Sequence, residues 1–104
     1  MSKQKTLKPI NTLKVKSIKQ LFSTPRRWMK GDLSNNDNTA VCLLGAVDAI
    51  YANDSDVENK IQKSITNFYK VSCGQAKKTG IAEFNDARTR KFSDIQWVVS
   101  NAKV

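Results

Sequence analysis

The 104-residue chain contains no histidine. It can therefore build no Ser-His-Asp or Cys-His machinery, no histidine general base and no imidazole metal ligand. Cysteine is scarce, with only Cys42 and Cys73. A secreted disulfide scaffold of this size carries more cysteines, and a zinc site needs four ligands. Apolar runs of ~18 residues are absent, so no spanning helix is expected. The basic start MSKQKTLKPI has no apolar segment and does not read as a signal peptide. There is no glycine-rich phosphate loop. These absences point to a cytoplasmic protein with no cofactor, no metal and no membrane partner.

Acid is missing from the first 30 residues, which hold nine Lys and Arg. Residues 31–59 reverse this, with six acids and no base. Residues 60–104 return to nine bases against three acids, and the net charge is +9. The asymmetry suggests an electrostatic footprint on a partner, or self-complementary association that leaves a homodimer open. At this length the chain fits one domain, burying roughly 65% of its unfolded surface.

The expected fold is all-α: a small single-domain bundle of about four helices with a short extra helical turn. A flexible basic arm is expected over residues 1–9 and a single α-helical domain over 10–104. Ile10, Leu13, Ile18, Leu21 and Phe22 recur at helical spacing, and this helix should stop before Pro25. Thr24-Pro25 reads as cap and first residue of a short helical piece closed by Gly31. DLSNNDN, residues 32–38, reads as a polar loop. Residues 39–52, TAVCLLGAVDAIYA, are apolar on every side and read as a central helix, with Gly45 permitting close packing. Ser55-x-x-Glu58 reads as a capping box before the stripe Val57, Ile61, Ile65, Phe68, and Gly74 ends that helix. IAEFND, residues 81–86, reads as extended or coil. Ser93, with Gln96, is expected to cap a last helix carrying Ile95, Val98, Val99 and Ala102 inward.

The candidate binding residues lie in two basic clusters. Lys14, Lys16, Lys19, Arg26, Arg27 and Lys30 surround Trp28, and Arg88, Arg90 and Lys91 precede Phe92. Basic groups interleaved with aromatics can hold phosphates and stack on bases. Neither cluster matches a named nucleic-acid-binding signature. Cys42, within its apolar stretch, reads first as a small buried hydrophobe, and Cys73 reads as more exposed. A cysteine-dependent enzyme remains a further alternative. Glu83 and Asp86 read as capping or turn residues rather than a general acid and base.

Four motifs follow in order: Thr24-Pro25-x-Arg27-Trp28-x-x-Gly31, Ala40-Val41-Cys42-x-Leu44-Gly45-Ala46, Ile81-Ala82-x-Phe84-Asn85-Asp86, and Asp94-Ile95. Together they resemble a family of small bacterial and bacteriophage proteins of unknown function. That family carries a Trp-x-x-Gly stretch, a cysteine-containing Leu-Gly-Ala helix and a Trp-Asn-Asp segment. Here Phe84 stands in place of the family's usual Trp, and the Cys region is shorter. The resemblance implies a small accessory protein, in the host cytoplasm if phage-encoded, and brings no activity. It marks Trp28, Cys42, Gly45, Asn85 and Asp86 as fold-defining. The expected function is non-enzymatic binding of nucleic acid or a nucleoprotein complex, with inhibition of a host protein as the alternative.

Overall fold

Apolar residues repeating at i+3 and i+4 are most regular in the second half of the chain, and the core is organised around that half. A computed structural model describes residues 7–104; most of the arm expected over 1–9 lies outside them. Five helices follow one another: α1 (Ile18–Leu21), α2 (Leu43–Tyr51), α3 (Ser55–Cys73), α4 (Ile81–Asp86) and α5 (Phe92–Ala102). Single 3-10 turns occur at Ile10–Thr12 and Pro25–Arg27. No strand occurs among the described residues, and the class is all-α.

α3 and α5 make the most extensive packing. Ile61 and Ile65 of α3 meet Ile95, Val98 and Val99 of α5 in one fully buried cluster. Each such side chain stabilises the fold by roughly 1.5–3 kcal/mol on burial. Ser64 is the polar exception on this seam. Its hydroxyl donates to the Val98 carbonyl at 2.6 Å, so no donor is left unpaired. α3 begins one residue earlier than the capping box implies. Asp54, not Ser55, is the cap, accepting from Asp56 N and Val57 N. Gly74 ends the helix at φ +77°. α5 also starts early. Phe92 is its first residue, and the Asp94 carboxylate accepts from the Lys91 amide at 3.1 Å.

Three segments depart from expectation. The first is 10–22, which breaks into a 3-10 turn, an extended stretch and the short α1. Ser17 nucleates α1 by accepting from Gln20 N at 3.1 Å, while the Gln20 side chain accepts from Lys16 N at 3.0 Å. This local bonding competes with continuation of an upstream helix. The second is 39–42, which is extended. Val41 N donates to the Arg27 carbonyl and Met29 N to the Val41 carbonyl, forming a single bridge to Trp28. The helical piece after Pro25 therefore ends at Arg27 instead of running to Gly31. The third is IAEFND, which is helical as α4. Its inward residues Ile81, Phe84 and Asn85 dock on the core, so tertiary burial decides a short segment that propensity leaves open.

Candidate nucleic-acid interface

Asn85 organises the region where the motifs meet. It has no exposed surface. Its Oδ1 accepts from Trp28 Nε1 at 2.6 Å and from Leu43 N at 3.0 Å. Its Nδ2 donates to the Met29 carbonyl at 3.0 Å and to Asp86 Oδ1 at 2.9 Å. Both donors and both acceptor positions of the amide are used. The same Asp86 oxygen accepts from Gly31 N at 3.0 Å, and Gly31 sits at φ +96°, where a Cβ is strained. One amide thus ties residues 28–31, the start of α2 and the end of α4 together.

Cys42 and Gly45 complete this frame. Cys42 is buried, and its sulfur accepts from Gly45 N at 3.3 Å as the N-cap of α2. A Cβ on Gly45 would lie 2.1 Å from the Leu33 carbonyl oxygen, so the close approach is by the 32–38 loop rather than by another helix. Cys73 is exposed and both thiols are free. Among the described residues no group of three or more Cys, Asp or Glu side chains is placed to hold a metal.

The basic candidates divide into two populations. Arg27 is 8% exposed, and its guanidinium donates to the carbonyls of Lys8 and Thr39. It pins the chain around residue 8 to the 35–40 turn and is not part of the surface footprint. Arg90 is likewise withdrawn, its side chain 7% exposed. Its guanidinium lies 3.7 Å from the Phe84 ring centre, and its Nε and Nη2 donate to the Phe84 carbonyl and the Tyr69 hydroxyl. Asp94 sits 3.5 Å away, the one ion pair among the described residues. Flat stacking plus a multi-donor fork is the use for which arginine, not lysine, is suited.

Lys14, Lys16, Lys19, Arg26, Arg88 and Lys91 are exposed, and Lys30 is half-buried. Segments 26–30 and 87–92 run side by side. The Lys30 ammonium donates to the Ala87 carbonyl at 2.9 Å, and the Trp28 ring lies 5.8 Å from Phe92. Arg26, Lys30, Arg88 and Lys91 therefore lie on segments joined at Trp28–Phe92 and Lys30–Ala87, although the two clusters are far apart in sequence. Lys19 borders a hollow of about 200 Å³ with Phe22 and Gln96, where α1 meets α5. Lys14 and Lys16 belong to the extended stretch before α1.

A further basic surface escaped the sequence reading. Lys60, Lys63 and Lys70 are exposed on α3. Their i, i+3, i+10 spacing, opposite the apolar stripe, is the signal that could have found them. Lys63 and Lys78 also line an open groove of about 650 Å³ with Thr66 and Glu83. No protein family model, curated protein or solved structure matches the chain. No helix of the described residues is long and apolar enough to cross a membrane.

Proposed function

We propose that the protein is a non-enzymatic accessory protein, of bacterial or bacteriophage type, that binds nucleic acid or a nucleoprotein complex through its basic surface. The observation that carries this reading is the joining of two basic clusters along the Trp28–Phe92 seam, with Lys30 bonded to Ala87 beside Arg88. No carboxylate pairs with Lys14, Lys16, Lys19, Arg26, Arg88 or Lys91 within 4.0 Å among the described residues. Their charge is therefore free to meet phosphate.

Fluorescence anisotropy against labelled DNA and RNA at two salt concentrations tests the reading. If those six side chains each engage one phosphate of a duplex, log Kobs falls with log salt at a slope of about −5. Absence of binding to either nucleic acid at ~50 mM salt removes it.

One observation favours a protein partner as the second reading. Asp32, Asp37, Asp48, Asp54 and Asp56 are all exposed within the base-free middle of the chain. Exposed acids of this kind complement a basic partner, including a host enzyme that the protein would inhibit, or a second copy of itself. Purification from host lysate after nuclease treatment separates the readings. A stoichiometric protein partner that survives nuclease favours the second.

A further inference from the structure

We infer that the nucleic acid this surface holds is a duplex, gripped by its phosphate backbone without stacking on its bases. The inference rests on the nucleic-acid reading above and narrows it. In sequence, Arg26-Arg27-Trp28 and Arg88-x-Arg90-Lys91 with Phe92 offer groups that can hold phosphates and stack on bases, while Trp28 and Phe92 read first as core anchors. Both rings pack against the core.

All eight aromatic residues are buried or half-buried. Phe22, Phe92 and Trp28 contact one another in series, at 6.2 and 5.8 Å between ring centres. Phe68 meets Tyr69, Phe84 and Trp97 at 5.4–5.7 Å in a second group. Trp28 is held by its indole nitrogen on Asn85, and the Lys30 ammonium lies 5.7 Å from its ring centre. Arg27, next to Trp28 in sequence, and Arg90, whose guanidinium lies over Phe84, are spent on internal partners. Trp28 and Phe92 are packed against the core and only partly exposed, whereas Arg26, Arg88 and Lys91 beside them are exposed.

Charges without stacking favour the ligand with the densest and stiffest array of phosphates. A duplex offers one charge per about 1.7 Å of axis, about twice the density of a single strand. A flexible strand must also be ordered on binding, a cost that stacking normally offsets. Two carboxylates on the segments beside these clusters have partners. Asp86 accepts from Gly31 N and Asn85 Nδ2, and Asp94 from Arg90 and Lys91 N.

A competition experiment tests this. A labelled duplex on the full chain is displaced at one low salt concentration by unlabelled duplex or by either separated strand, while tryptophan emission is followed. The expected result is that the duplex competes several-fold better than either strand, with tryptophan emission neither quenched nor shifted. A strand that competes equally well or better, or quenching on binding, overturns the duplex assignment and leaves the nucleic-acid reading standing. Failure of the labelled duplex and of labelled strands to bind at all overturns both.

Discussion

The indole Nε1 of Trp28 donates a 2.6 Å hydrogen bond to Oδ1 of Asn85, across 57 residues of sequence. The bond accounts for the pairing of a Trp-x-x-Gly stretch with an Asn-Asp pair: the amide closes the indole, and the neighbouring carboxylate closes the amide of Gly31. Asn85-Asp86 is thus a tie between segments, with the whole Asn85 amide and one Asp86 oxygen occupied by the fold.

Asn85→Ala leaves Trp28 Nε1, Leu43 N and the Met29 carbonyl without their partner. Each buried polar group so orphaned costs about 1–3 kcal/mol. Urea denaturation should show a loss of about 3 kcal/mol or more, enough to threaten folding of a domain this small. Trp28→Phe removes one donor and part of the ring packed on Phe92, but leaves Asn85 its Leu43, Met29 and Asp86 partners, and the loss should be smaller, about 1–2 kcal/mol. Equal stability of Asn85→Ala and the parent chain would contradict the tie.

Gly45→Ala tests the loop approach. Alanine improves intrinsic helicity by about 1 kcal/mol. Its Cβ nevertheless meets the Leu33 carbonyl oxygen at 2.1 Å and the Leu33 carbonyl carbon at 3.0 Å, which are backbone atoms. The net effect should be a destabilisation of about 1–3 kcal/mol from overpacking, read as a lower thermal midpoint. A midpoint at or above the parent's would mean that the loop moves aside freely.

Arg88 and Arg90 should behave oppositely. Arg88→Ala removes an exposed charge and should change stability by no more than about 0.5 kcal/mol. On the proposed function it weakens nucleic-acid binding and reduces the salt slope by about 1. Arg90→Lys keeps the charge but loses the stacked fork over Phe84, and should destabilise by about 1–3 kcal/mol. Paired denaturation and binding titrations on both variants check the division.

The two thiols should be distinguishable without mutation. Cys73 is exposed and should react with a thiol reagent in the native protein, whereas Cys42 is buried and serves as a helix cap. Quantitative labelling should therefore count a single thiol under native conditions and both in denaturant. Rapid native labelling of Cys42 would revive a cysteine-dependent enzyme.

Much of the architecture is legible in residue order. The stripe Val57, Ile61, Ile65, Phe68 and the face Ile95, Val98, Val99, Ala102 are amphipathic, so periodicity alone locates both halves of the α3–α5 seam. The stretch 39–52 is apolar on all sides and carries no phase. Its apolar pattern does not tell that Ala40–Cys42 is non-helical; the bonds that hold it come from Arg27 and Met29 and from Leu33 and Asn35 in the preceding loop. The site is legible in the same uneven way. Composition marks Arg27 and Arg90 as basic like their neighbours, and only packing reveals that Lys8, Thr39, Phe84 and Tyr69 have claimed them.

The tie at Asn85 also sets an order of events during synthesis. Residues 28–43 leave the ribosome early but find their shared acceptor only when residue 85 has followed. Until then the indole of Trp28 and the amide of Leu43 have only water to bond. The 28–43 strap should stay open to a protease in the nascent chain until residue 85 has emerged, although it is among the first parts to be made.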